Sequence, residues 1–220
     1  MIRPAIRASL AAPWASDDLV RAELFSAERL EEHAASLAAA QPVITNITAG
    51  RSLARRLRQN DRFLLTAHRS LLQAVADRGA MTPASQWLVD NYHVVQAQIR
   101  EIRDDLPPGY YRQLPKLASG PFAGYPRILG VAWAFVAHTD SRFDAPLLVR
   151  FMRAYQRVQP LSIGELWAVA ITLRVVLVEN LRRAAGQILR RRAERRDADA
   201  VAEAILALSL IHISEPTRLR

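Results

Sequence analysis

Cysteine is absent from the 220 residues of the chain. The sequence therefore contains no disulfide framework, no Cys-ligated zinc or iron–sulfur site and no thiol nucleophile. Glycine and proline are also few, at 8 and 12 residues, which argues against collagen-like or low-complexity segments. Half of the residues are apolar and 23% are charged. That composition is typical of a folded chain with one ordinary core, or at most two small ones.

No hydrophobic run is long enough to cross a bilayer. The most apolar stretch runs from Leu166 to Val178 and contains Thr172 and Arg174, whereas a spanning helix needs about 20 apolar residues. We expect a buried core helix there, in a soluble chain. The first residues lack the continuous apolar segment of a secretory signal, so residues 1–22 are predicted to be a flexible tail.

The motifs of common catalytic sites are missing as well. Neither of the glycine-rich phosphate-binding patterns occurs, and the five histidines never fall at metal-ligand spacing. Asp197 and Asp199 have the D-x-D spacing with which sugar-nucleotide transferases bind a divalent cation, but they lie beside arginines in a helical pattern. We therefore predict no catalytic, cofactor-binding or metal-binding residue in this chain.

Positive charge is concentrated in one segment. The chain has 30 Lys+Arg against 21 Asp+Glu, a formal net charge of +9, and residues 182–196 hold seven arginines against one glutamate. Such a helix can contact an anionic bilayer surface, nucleic acid phosphates or an acidic partner, although a run of this kind is commonly just a solvated face. The residues predicted to contact an anionic surface are Arg190, Arg191, Arg192, Arg195 and Arg196.

The chain does contain a succession of helical patterns separated by proline and glycine. Ser26, Thr82 before Pro83, and Ser162 with Glu165 three residues later are typical helix starts. Between residues 51 and 76 the pattern fits either two helices or one helix kinked near residue 60. No alternating strand pattern of useful length occurs. The predicted fold class is all-α, a multi-helix bundle without a β-sheet.

The clearest helix follows Thr82 and presents one apolar stripe, which we predict to face the core. Its residues are spaced alternately by four and three positions: Leu88, Tyr92, Val95, Ile99 and Ile102. Core packing is also predicted for three tryptophans in apolar helical patterns: Trp87, Trp133 and Trp167.

An aromatic turn follows that helix. Two prolines and a glycine at 107–109 end the helix, because they cannot continue it. Tyr110 and Tyr111 come directly afterwards, with Arg112 beside them. We expect Tyr110, Tyr111 and Arg112 to form an exposed docking surface.

The end of the chain is unlike the rest. Residues 208–218 resemble a translated sequencing-library adapter, so residues 208–220 are expected to be non-native. The predicted organisation is a tail over 1–22, a helical domain over 23–196, a truncated helix start over 197–207 and the non-native tail.

Several segments together carry a family resemblance. They are Trp87–His93, Gln98–Tyr111, Leu114–Leu117, Arg153–Gln156 and Leu161–Trp167. In this order they resemble the N-terminal region of cyclic β-1,2-glucan synthases, over about residues 23–190. The resemblance implies a large bacterial inner-membrane enzyme. In that family a family-84 glycosyltransferase module polymerises glucose from UDP-glucose with a divalent cation, and a family-94 phosphorylase-like module trims the glucan before cyclisation.

For this chain the resemblance implies a non-catalytic helical fragment, because the family's catalytic modules and membrane helices lie downstream of the matched region. The implied location is the cytoplasmic side of the inner membrane. The implied partners are the downstream catalytic modules of the same polypeptide, with the anionic membrane surface as a candidate and no nucleic acid. The alternative is a free-standing basic helical module that binds nucleic acid or an anionic membrane surface.

Overall fold

A computed structural model gives the fold of residues 16–44, 51–77, 79–106 and 109–214, with side chains described as far as residue 207. Within these ranges the chain forms seven helices and two short strands. In chain order they are α1 (Ala27–Ala40), β1 (Val43–Ile44), α2 (Leu53–Ala76), α3 (Pro83–Asp104), α4 (Tyr110–Gln113), β2 (Lys116–Leu117), α5 (Arg127–His138), α6 (Ala145–Val158) and α7 (Ile163–Ser214).

The helix starts predicted from the sequence are confirmed. The side chains of Ser26 and Thr82 accept hydrogen bonds from backbone N–H groups three residues later, as N-caps do. Ser162 and Glu165 form the reciprocal capping box: the Glu165 N–H donates to Ser162 Oγ at 3.3 Å, and the Ser162 N–H donates to Glu165 Oε2 at 2.9 Å. Local sequence therefore fixes where three of the helices begin.

Two clusters of buried apolar residues form the core, and α7 contributes to both. The first cluster joins α1, α5 and α6 with the first part of α7. The second joins α2 and α3 with the middle of α7. The apolar stripe of α3 lies in the second cluster, with every member at most 6% exposed, so that prediction is confirmed. Helix α7 therefore packs against both core clusters.

The all-α class is confirmed for the described residues, which contain only one small β element. Strands β1 and β2 pair antiparallel, with Val43 opposite Leu117 and Ile44 opposite Lys116. Each strand has two residues, so the pair joins two loops and forms no layer of its own. In the described ranges, no helix is long and apolar enough to span a membrane.

Three observations bear on the predicted extent of the helices and of the N-terminal tail. Helix α2 runs unbroken past Asn60, which is fully buried and donates a hydrogen bond to Glu179 of α7. The helix start expected at 197 lies inside α7, because no glycine or proline interrupts residues 187–207. Within residues 16–22 of the predicted tail, Val20 is 2% exposed and its N–H donates to Asn180 Oδ1 at 2.7 Å, whereas most of its neighbours are exposed. Residues 1–15 and 215–220 lie outside the described residues.

Two of the three tryptophans predicted to be in the core are exposed. Trp133 is partly buried against the first cluster, but Trp87 is 53% exposed and Trp167 is 76% exposed. Each exposed tryptophan immediately precedes a buried residue, Leu88 or Ala168. One step along a helix turns a side chain by about 100°, which is enough to move it out of the core.

We expect the stripe of α3 to be the most sensitive part of that helix. Ile99→Ala should lower the free energy of unfolding by about 2–5 kcal/mol, because Ile99 is 1% exposed and its removal leaves a cavity. Val94→Ala, at a position 49% exposed on the same helix, should change it by less than about 0.5 kcal/mol. Urea denaturation measures both, and equal losses would contradict this packing.

Candidate docking surface

A buried ion pair fixes the start of α7 against α5. Arg127 Nε and Nη2 donate to the two carboxylate oxygens of Glu165 at 2.8 and 2.6 Å, and Nη2 also donates to the Pro160 carbonyl at 3.1 Å. Both side chains are at most 5% exposed. Because the pair is bidentate and Glu165 also closes the capping box, the first turn of α7 has a defined orientation.

The aromatic turn packs on this first turn of α7. Tyr110 is half-buried and its hydroxyl donates to the Gly164 carbonyl. A Cβ on Gly164 would lie 3.3 Å from Leu114 Cδ2 and 3.4 Å from the Tyr110 hydroxyl, so the close approach favours glycine there. Helix α4 and the start of α7 therefore present one continuous surface.

Only part of the predicted docking surface is exposed. Tyr111 is 9% exposed, its hydroxyl lies 3.3 Å from Thr172 Oγ1, and burial raises its pKa to about 12. The expected exposure is therefore wrong for Tyr111, which belongs to the first core cluster. Arg112 is exposed, and its carbonyl accepts a hydrogen bond from Lys116 Nζ at 3.0 Å. Tyr110 and Arg112 remain candidates for docking.

Next to Tyr110 lies an apolar patch that the sequence analysis missed. On the first two turns of α7, Ile163 is 72% exposed, Leu166 39% and Trp167 76%. Their spacing of three and four residues places them on one face of the helix. We name Tyr110, Ile163, Leu166 and Trp167 the docking patch. The sequence did contain a signal for this patch. The run around Trp167 has more apolar residues than one buried face of a helix can hold, so some of them must be exposed.

A second buried ion cluster holds α2 against the middle of α7. Glu179 is fully buried and accepts hydrogen bonds from Arg56 at 2.8 and 2.9 Å, from Asn60 at 2.8 Å and from Arg183 at 2.9 Å. Burial alone would raise the pKa of Glu179, but the hydrogen bonds from Arg56 and Arg183 outweigh it and hold the pKa below its ordinary value. Sequence reasoning missed this cluster, although Glu179 and Arg183 continue the helical spacing of the buried residues before them.

The arginine segment of α7 is divided between internal contacts and solvent. Arg183 donates to the Asp18 carbonyl, and Arg182 and Arg190 both pair with Asp17. Arg192 donates to the Ala80 carbonyl at 3.0 Å. The remaining arginines predicted to contact an anionic surface are exposed: Arg191, Arg195 and Arg196. Much of the basic charge near 182–192 therefore contacts the segment before α1 and the connection between α2 and α3.

A pair of histidines lies where α1 meets the end of α5. The rings of His33 and His138 are 4.5 Å apart, and His138 stacks on Phe25 at 4.0 Å. His138 Nδ1 donates to the Glu23 carbonyl at 2.7 Å. Burial and the neighbouring His138 lower the pKa of His33. The pair links the segment before α1 to the bundle.

Among the described residues, no group of three or more His, Asp or Glu could hold a metal ion, and Asp197 and Asp199 lie exposed on α7.

A cavity of about 720 Å³ lies between residues 16–22, the end of α1 and α5, with Phe122 and Trp133 in its wall. Some buried side-chain atoms among the described residues lack a hydrogen-bond partner, but none of these atoms belongs to a residue that lines the cavity. The cavity wall therefore has no unpartnered buried polar atom of this kind that could orient a ligand.

Comparison with known proteins identifies the relationship of the chain. No family model matches it. Over 194 residues, 88% of the chain, it is 38% identical to the cyclic β-(1,2)-glucan synthase NdvB of Rhizobium meliloti (strain 1021). The aligned part is 7% of that protein, so the chain spans a small fraction of its relative's length. The chain is homologous to a region of that synthase, which confirms the resemblance found in the motifs.

Removing the charge of Glu179 should destabilise the fold strongly. Glu179→Gln leaves Arg56 and Arg183 without their carboxylate, which we expect to cost about 3–5 kcal/mol in the free energy of unfolding. Glu23→Gln removes an ion pair with Arg29 in which both side chains are more than half exposed, and it should cost less than about 1 kcal/mol. Chemical denaturation of both variants measures the difference, and similar losses would contradict the structural role of Glu179.

Stability should fall as the pH drops below about 6.5, the ordinary pKa of histidine. The folded state lowers the pKa of His33, so the unfolded state binds more protons in this range and is favoured as the pH falls. Urea midpoints at pH 7.5 and 5.5 measure the effect. His33→Gln should reduce the pH dependence, whereas the exposed His93→Gln should preserve it. An unchanged dependence in His33→Gln would show that another group causes it.

Proposed function

We propose that this chain is the helical N-terminal region of a cyclic β-1,2-glucan synthase and that it is a non-catalytic docking domain. Homology supports the assignment, with 38% identity over 88% of the chain. The proposal leaves the polymerisation of glucose from UDP-glucose and the cyclisation of the glucan to other parts of the polypeptide. UDP-glucose and a divalent cation would bind there. The chain would lie on the cytoplasmic side of the inner membrane, the location that the family resemblance implies.

The observation that carries the docking role is the exposure of Trp167. An indole that is 76% exposed leaves a large apolar surface in water, and Ile163 and Leu166 extend it along the same face. Isolated exposed apolar residues are ordinary, whereas contiguous ones typically mark contact sites. Aromatic anchors of this kind dominate protein interfaces.

The docking patch lies on a rigid part of the bundle. The patch stands on the turn of α7 that the buried Arg127–Glu165 pair orients, and Tyr110 braces it through the Gly164 carbonyl. A partner that binds the patch meets a preformed surface, so little conformational entropy is lost on association. Arg112, exposed on α4, adds a cation at the same end of the bundle. The partner we propose is a catalytic module of the same polypeptide.

The patch can be tested in a full-length synthase that carries this chain as its helical region. Ile163→Ser with Trp167→Ser should lower glucan yield and the recovery of assembled enzyme, because a central aromatic anchor commonly contributes about 2 kcal/mol or more to an interface. Trp87→Ser, at an exposed tryptophan on α3, is the matched control and should leave both unchanged.

Thermal unfolding of the separate 220-residue chain checks that both variants still fold. If the double variant folds and the synthase keeps its full yield and assembly, the docking role is wrong. A loss of equal size in Trp87→Ser would show that the effect is not specific to the docking patch.

A further inference from the structure

The outer face of α2 carries a row of arginines. Arg55, Arg58, Arg62 and Arg69 are all exposed. Their spacings of three, four and seven residues place them on one side of the helix. The buried residues of α2 lie on the opposite side: Leu53, Leu57, Asn60, Leu64, Ala67, Leu71 and Ala74. The row extends over 15 residues, and the 14 rises between its ends give about 21 Å of helix.

These four guanidinium groups have no ion pair with any described residue. The one acid in α2 is Asp61, which pairs with Arg103 of α3 at 2.7 Å, and the fifth arginine, Arg56, pairs with Glu179. Elsewhere in the bundle, acidic neighbours do pair with arginines, for example Glu28 with Arg150 and Glu101 with Arg174. Like charges three or four residues apart weaken a helix slightly, so an external anion would relieve repulsion along this row.

Two leucines continue the same register. Leu65 follows Arg62 by three residues and Leu72 follows Arg69 by three, which completes a stripe with alternating spacings of three and four. Leu72 is 43% exposed and Leu65 is partly buried. The outer face of α2 thus combines cations with apolar side chains. We name Arg55, Arg58, Arg62, Leu65, Arg69 and Leu72 the α2 arginine face.

We propose that the α2 arginine face binds the anionic surface of a phospholipid bilayer, with α2 lying parallel to it. A straight row on a convex helix can meet many headgroups of a flat surface at once, and the stems of arginine tolerate the interface. The two leucines gain from contact with lipid, whereas a phosphate backbone would leave them without a partner. The bases of a single strand would find no stacking surface on this face, since Phe63 packs beside Gly186 and His68 stacks on Tyr92.

This contact differs from the one that the sequence predicts. Two of the five arginines predicted to contact an anionic surface, Arg190 and Arg192, bind Asp17 and the Ala80 carbonyl. The α2 row has no such internal contact among the described residues. The proposal does not depend on the docking patch, so either can fail without the other.

Sedimentation of the 220-residue chain with vesicles tests the proposal. The chain should bind vesicles of equal parts phosphatidylglycerol and phosphatidylcholine at low salt, and pure phosphatidylcholine only weakly. Each basic residue near such a surface contributes about 1 kcal/mol, roughly a five-fold change in partitioning. Arg58→Gln with Arg62→Gln and Arg69→Gln should therefore weaken binding on the order of 100-fold. The matched control is Arg100→Gln with Arg142→Gln and Arg153→Gln, which removes the same charge from other exposed positions and should retain most of the binding.

Two further measurements separate the lipid from other polyanions. Leu72→Ser should weaken vesicle binding several-fold and leave the binding of a DNA duplex unchanged. If the triple variant fails to fold, Arg62→Gln alone should still lose about five-fold. Equal losses in the two triple variants, no binding to anionic vesicles, or tighter binding to the duplex than to the vesicles would each overturn the proposal.

Discussion

The carboxylate of Glu179 is the contact on which the arrangement of the helices depends. It lies in the first half of α7, which contributes to both core clusters, and it accepts hydrogen bonds from Arg56 and Asn60 of α2. Removing a carboxylate from water costs several kcal/mol, and only a full set of donors offsets that cost. Arg183 supplies another donor and reaches the Asp18 carbonyl, so the same cluster holds the segment before α1.

The parts of the fold that could be predicted are those that local sequence determines. Ser26 and Thr82 cap helices through contacts three residues away, and the stripe from Leu88 to Ile102 repeats at the period of the helix. Such signals depend on neighbours along the chain and survive any tertiary arrangement. They were enough to predict an all-α bundle and most of its helices.

The candidate surfaces depended on contacts that no local pattern reveals. Glu165 was recognised as a cap, but its partner Arg127 lies 38 residues earlier, and Arg56 lies 123 residues before Glu179. An arginine therefore looks the same in the sequence whether it is buried or solvated. The exposure of Trp167 could not be predicted for a different reason. Adjacent apolar residues on a helix point in different directions, and the sequence does not say which one faces the core.

The two proposed surfaces would bind their partners through different forces. The docking patch is apolar and held by buried polar contacts, so its interactions should be nearly indifferent to salt. The α2 arginine face acts through exposed charge, which salt screens over about 10 Å at 0.1 M. A molecule with both can keep one contact while it releases the other when the ionic strength changes.

The number of residues in helix α7 sets both how far its end lies from the bundle and which way that end faces. Between Ile163 and Ala207 it rises about 68 Å as one unbroken helix that packs against the bundle at first and is exposed from Ala193 to Ala207. Inserting one residue between 193 and 200 would advance its far end by about 1.5 Å and turn it by about 100°. The rotation about the helix axis of any group at that end is therefore set by the number of residues in α7.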